Sequence, residues 1–208
     1  MSRRRLHPGL ALLAAGLAMP AWATPAQVEP PAIEPTAAAM PRALPFDPEH
    51  TKFGFQLRTR WGQLLRGNFP AYQGEVRRYP DGRRDVRLVL DSSRMQIAGH
   101  RRYTQWARGP EFFDAARFPT IEFVSETYDE EKLHEGGALH GTLLLRGISR
   151  PVRFVLEPAT CDAPGTGCDV VASGEVERKD FGMDAWMVTV DNDVRFQMRV
   201  RTAEPEGR

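Results

Sequence analysis

Alternation of apolar and polar residues with a period of two is the feature that most limits how this chain can fold. Near the end, Val194, Phe196, Met198 and Val200 alternate with Arg195, Gln197, Arg199 and Arg201. Successive side chains of a strand point to opposite faces, so such a segment has one face to bury and one to hydrate. The pattern returns as Phe53, Phe55 and Leu57, as Val86, Leu88 and Leu90 around Arg87, and as Val152, Phe154 and Leu156 around Arg153. Further strand candidates cover residues 71–77, 120–127, 138–146 and 170–177, with turn sequences such as Pro80-Asp81-Gly82 and Gly136-Gly137 between them. Seven or more short half-buried antiparallel strands predict an all-β sandwich or barrel. Outer-membrane barrels need strands of about nine to eleven residues with aromatic girdles at both interfaces. These strands read as shorter, with their aromatics mid-strand, which points to a soluble barrel with an apolar interior.

One stretch breaks the alternation. Residues 100–118, HRRYTQWARGPEFFDAARF, are helix-compatible and are divided by Gly109 and Pro110 into two short pieces. Pro110 suits a first helical position, and Phe118-Pro119 ends the second piece. This short helical insert, with Phe112, Phe113 and Phe118 turned toward the barrel, is expected to cover one mouth.

The chain begins with Arg3, Arg4 and Arg5, an apolar run over residues 10–18, and Ala21-Trp22-Ala23. That order is a secretory signal peptide cleaved after Ala23, since the run falls short of the roughly 20 residues a spanning helix needs. The mature protein is therefore expected in the periplasm, not spanning the membrane. No cysteine lies near the cleavage point to carry a lipid anchor. Residues 24–45 are rich in Pro and Ala without apolar periodicity and read as an extended linker. The folded domain then covers residues 46–202, and 203–208 form a C-terminal tail. Losing residues 1–23 takes three arginines from a formal charge of +1 and leaves −2. Acids and arginines are interspersed, which argues against nucleic acid as a partner. Cys161 and Cys168 flank a Gly- and Pro-containing loop and are expected to pair in an oxidising compartment.

The residues offer little for catalysis. His50, His100, His134 and His140 are scattered without the spacing of a metal site, and only His134 and His140 could meet across a hairpin. There is no G-x-S-x-G elbow and no cysteine with an evident partner base. The acidic run Asp129-Glu130-Glu131 reads as a solvated turn. Neither an enzyme nor a cofactor or metal is expected.

Taken together, FDPEHTKFGFQL, GNF from Gly67, EFFDAARFPTIEFVS from Glu111, GTLLLRGISRPVRF from Gly141, GEVERKDFGM from Gly174 and VDNDVRFQMRV resemble the YceI-like family of polyisoprenoid-binding proteins in order and spacing. The resemblance implies an antiparallel, lipocalin-like β-barrel, exported to the periplasm, that holds an isoprenoid such as a quinone or polyprenol in an apolar interior. It implies binding, not catalysis. Where members carry an Arg-Asp-x-His-Leu stretch, this chain has Tyr103, Thr104, Gln105, Trp106 and Ala107, which makes the segment more apolar.

The candidates for ligand contact are the large apolar residues Phe53, Phe55, Phe69, Phe113, Phe123, Phe154, Phe181, Trp186, Phe196 and Met198. The competing reading is that these rings simply fill the barrel, as small barrels can be packed solid. Gly182, after Asp180 and Phe181, is expected to permit a tight turn. Three readings stand: a carrier for an isoprenoid, a filled barrel that binds a protein partner, and a lipid-acting enzyme. Monomer and homodimer are both open.

Overall fold

Each alternating segment is a strand whose apolar residues face inward. The computed structural model describes residues 40–186 and 188–203. The expected signal peptide, residues 24–39 of the expected linker and residues 204–208 of the tail lie outside the described residues. Eleven strands are present among them: β1 (Arg42–Pro45), β2 (Lys52–Thr59), β3 (Leu64–Asn68), β4 (Tyr72–Arg78), β5 (Arg84–Asp91), β6 (Gln96–Ile97), β7 (Thr120–Ser125), β8 (Gly137–Leu145), β9 (Ile148–Leu156), β10 (Val170–Glu177) and β11 (Val190–Val200). They form one antiparallel sheet in the order β1-β4-β5-β7-β8-β9-β10-β11-β2-β3-β6.

The sheet curls back on itself. β1 pairs with β4, and the residues that follow it also meet the end of β11: Phe46 bridges Thr202, and the Ala203 N–H donates to the Pro45 carbonyl at 2.9 Å. β1 therefore belongs to the barrel, although residues 42–45 read as linker by composition. β1, β3 and β6 are too short to show a period in sequence. On β2, Phe53, Phe55, Leu57 and Thr59 are buried, and Lys52 and Arg58 are exposed. Two glycines make room for these inward rings. A Cβ at Gly67 would lie 2.2 Å from the Phe55 ring, and one at Gly174 would lie 2.6 Å from Phe154.

The insert folds partly as expected. Helix α1 (Arg101–Arg108) forms and ends at Gly109. Residues 110–113 and 115–117 are turns, not the second helical piece anticipated from Pro110. Asp114 takes a left-handed φ of 46°, and the Phe113, Asp114 and Ala115 N–H groups donate back to the carbonyls of Ala107, Gly109 and Arg108. The turns thus cap the end of α1 and cannot propagate a helix. A shorter helix, α2 (Lys132–Glu135), precedes β8. The Cys161–Cys168 disulfide is formed, closing the loop between β9 and β10. Gly182, at φ 68°, ends a 3₁₀ turn over Arg178–Phe181. No helix among the described residues is long and apolar enough to cross a membrane.

Away from α1, β4 and β5 carry a charged network. Arg77 hydrogen-bonds both carboxylate oxygens of Asp85, one at 2.7 Å from Nε, and the Tyr79 hydroxyl donates to Asp85 at 3.0 Å. Glu130 accepts from Arg84 and, at 3.5 Å, from Arg78. The acidic run is therefore not merely solvated, because Glu130 meets a cation that β5 has largely buried.

Burial raises the Asp85 pKa, but the hydrogen bonds from Arg77 and Tyr79 outweigh it and hold the carboxyl below the usual aspartate range. A depressed folded-state pKa contributes stability that is present above the unfolded-state value, ~3.9, and is lost as pH falls through the folded value. Asp85→Asn is expected to cost about 3 kcal/mol at neutral pH, as breaking a buried pair does. It should also flatten the loss of stability below about pH 4, measured by urea unfolding across pH.

Candidate functional site

The strands carry their inward residues in layers, and the layers are filled unequally. At the end covered by α1 the barrel encloses a cavity of about 240 Å³. β2 lines it with Phe55, Leu57 and Thr59, and β11 with Val190, Val194 and Phe196. One layer deeper, Phe53 and Met198 border a gap of only about 20 Å³ together with Phe123 and Phe154. A water needs roughly 10–15 Å³ of such space, so the centre has room for no more than one water and none for a ligand chain. Beyond it a second space of about 50 Å³ lies near Arg84 and Tyr128. The barrel is therefore a cup, hollow at one mouth and filled at its middle.

Aromatic contacts build the floor of the cup. Phe55 meets Phe113 at 5.6 Å and Phe196 at 6.4 Å between ring centroids, and Phe69 backs both Phe55 and Phe113. The cover comes from Tyr103, Trp106 and Ala107 of α1 and from Trp186 on the loop before β11. Trp106 and Trp186 stack at 6.0 Å, and the Trp186 indole N–H donates to the Glu111 carboxylate. Tyr103, Trp106 and Ala107 thus supply, with Trp186, an apolar lid.

Of the sequence candidates, Phe55, Phe113, Trp186 and Phe196 come together around the cavity. Phe53, Phe123, Phe154 and Met198 surround the narrow centre. Phe69 and Phe181, 2% and 1% exposed, line neither space and pack in the core. Residues the alternation did not single out include Leu65 and Ile97, on the short strands β3 and β6, and Trp61, Phe112, Met183 and Arg178. For Arg178 a signal exists: it continues the inward phase of Ala172, Gly174 and Val176, so an arginine stands where the pattern calls for an apolar residue.

Arg178 is 1% exposed and is the one charged side chain lining the cavity among the described residues. Its guanidinium donates to the carbonyls of Asp191 (2.9 Å), Met183 (3.0 Å), Ala185 (3.2 Å) and Val190 (3.3 Å), and lies over the Phe112 ring. Burial lowers its pKa, and Asp184 and Asp191 oppose that shift. A guanidinium keeps its proton in proteins, so a cation persists here, spread over main-chain dipoles. Its structural effect is to gather the loop that carries Trp186. Among the described residues no three His, Cys, Asp or Glu side chains come together as a metal site. The lining can exclude water and enclose an apolar group, but it brings no acid and base together.

A family model described as YceI-like domain matches residues 45–202. Among solved structures the chain is similar to Burkholderia cenocepacia BcnA, with 18% identity and TM-score 0.60 over 76% of this chain and 99% of that one. It is also similar to a polyisoprenoid binding domain from Saccharophagus degradans implicated in plant cell wall breakdown, with 12% identity and TM-score 0.59 over 77% and 98% of the two chains. A Campylobacter jejuni YCEI protein follows at 19% identity and TM-score 0.54, over 67% and 85%. At these identities the likeness establishes a shared fold. No curated protein matches the sequence.

Removing the Arg178 guanidinium should free the lid. Arg178→Met is expected to cost about 3 kcal/mol or more, because buried carbonyls lose their donors at roughly 1–3 kcal/mol each. Urea unfolding measures the loss, and a red-shifted tryptophan emission would report the loosened lid.

Proposed function

The chain belongs to the YceI-like domain family, and from that premise we propose that it binds an isoprenoid chain, of quinone or polyprenol type, in the cavity beneath α1. The observation that carries this reading is the cavity itself: a space of about 240 Å³ with aliphatic and aromatic walls and a solid aromatic floor. The fold shared with a polyisoprenoid binding domain supports the choice of ligand class.

Each isoprene unit brings five carbons, and burying them contributes about 4 kcal/mol before losses, at roughly 0.8 kcal/mol per carbon. Association costs at least about 4 kcal/mol in lost freedom, so several units are needed for micromolar binding, near −8 kcal/mol. The floor of Phe55, Phe113 and Phe196 stops the chain at mid-barrel. Its terminal units fill the cup, and the remainder of the chain lies at the mouth. In this reading the protein binds and releases its ligand unchanged, since the lining holds no acid and base side by side to transform it.

The same proposal puts the mature protein in the periplasm. The leader pattern of residues 1–23 supports this, and so does the Cys161–Cys168 disulfide, a bond that persists in oxidising compartments. Intact mass of protein recovered from a periplasmic fraction checks it: a chain starting at Thr24 is expected, and an uncleaved chain retained in the cytoplasm would contradict it.

The binding site is tested by titrating geranylgeraniol against two variants. Val194→Phe places a ring in the cavity and should weaken binding at least tenfold, the equivalent of displacing about two carbons. Phe123→Leu, in the filled centre, should leave affinity nearly unchanged while lowering stability by about 1 kcal/mol. Equal affinities for both variants and the parent protein would place the ligand elsewhere.

A further inference from the structure

The chain has four tryptophans, at positions 22, 61, 106 and 186, and the three that follow the leader all line the mouth of the cavity beneath α1. None of these three is buried: Trp61, Trp106 and Trp186 are 77%, 48% and 47% exposed, and Val188 beside them is 82% exposed. They come from three separate elements, namely the β2–β3 turn, α1 and the loop before β11. Scattered single apolar residues on a surface are ordinary, but a ring of indoles around an apolar opening is not. Indoles favour the level of lipid headgroups, where an apolar body and a polar N–H are both satisfied.

The charges of the rim fit the same partner. α1 carries Arg101, Arg102 and Arg108 and no acid, with its apolar residues turned to the cavity. Arg101 and Arg102 are exposed, and Arg102 lies over the Trp106 ring. A basic amphipathic helix of this kind suits an anionic surface. Of the acids nearby, Asp191 lies 3.8 Å from Arg60, while Glu111, which accepts the Trp186 N–H, and the exposed Asp184 keep their charge, two acids beside the three arginines of α1.

We propose that this mouth is a membrane-docking surface that seats on a bilayer containing anionic phospholipid, with Trp61, Trp106, Trp186 and Val188 at headgroup depth. Seated so, the cavity opens into the acyl region, and an isoprenoid chain passes between bilayer and protein without crossing water. The proposal rests on the ligand reading for its purpose, but the docking is measurable without any ligand.

The test uses the chain recovered from a periplasmic fraction after loss of residues 1–23, whose tryptophans are Trp61, Trp106 and Trp186, mixed with vesicles of phosphatidylcholine and phosphatidylglycerol whose acyl chains are brominated. Docking predicts a blue shift and quenching of the rim tryptophans. It also predicts that Arg101→Gln and Arg102→Gln each weaken vesicle partition roughly fivefold, the ~1 kcal/mol that one basic side chain contributes at an anionic surface. Vesicle binding without quenching would mean attachment by another segment and would overturn the proposal. So would a blue shift on self-association in the absence of lipid, which would make the rim a contact between copies of this chain. Geranylgeraniol binding is measured separately, without vesicles: docking that fails while this binding persists overturns the docking alone, and quenching that persists while this binding fails leaves the docking standing without the ligand reading.

Discussion

A curled sheet with an apolar inner face has to fill that face or cover it, because each Å² left in contact with water costs roughly 25 cal/mol. This chain does both, at different levels of one barrel. In the middle, Phe53, Phe123, Phe154 and Phe196 converge, and glycines on neighbouring strands give up their side-chain volume so that the rings can lie flat. Toward α1 the inward residues become Leu57, Leu65 and Val194, too small to meet across the opening. Cover therefore has to come from elements outside the sheet.

That cover explains the least expected residue in the interior. A loop laid over a cavity has carbonyls to satisfy and few neighbours to satisfy them, and Arg178 answers with several donors from one planar group. The arrangement fixes the loop, the loop presents Trp186, and Trp186 stacks on Trp106 of α1. The opposite network of Arg77, Asp85 and Tyr79 ties two adjacent strands together away from the cavity, where Arg178 is the one lining charge among the described residues. Charge in this protein thus organises the walls, and the space between them stays apolar.

The period of two was enough to read the long strands and the all-β class, because every register of a long strand repeats the same test. β1, β3 and β6 escaped it: strands of two to five residues carry no period, and Pro45 with its neighbours looks like linker until β4 pairs with them. The second helical piece failed for a local reason, the left-handed turn at Asp114 that closes back on α1. Alternation told which rings face inward but not their depth, so Phe55 and Phe53 were indistinguishable in sequence although one lines the cavity and the other the filled centre. The lid was legible only as a departure, where Tyr103 and Trp106 stand in place of the charged stretch that the resemblance implies. Arg178 was legible as a cation on an apolar phase, and its partners are main-chain atoms that no sequence pattern marks.

The space beneath α1 is the proposed seat for an isoprenoid chain. Native mass spectrometry of the protein from a periplasmic extract, followed by organic extraction of whatever it releases, tests this most directly. A bound mass that extracts as an isoprenoid is expected. A protein that arrives empty and takes up neither added quinone nor added polyprenol would contradict it and leave the cavity without a ligand of this class.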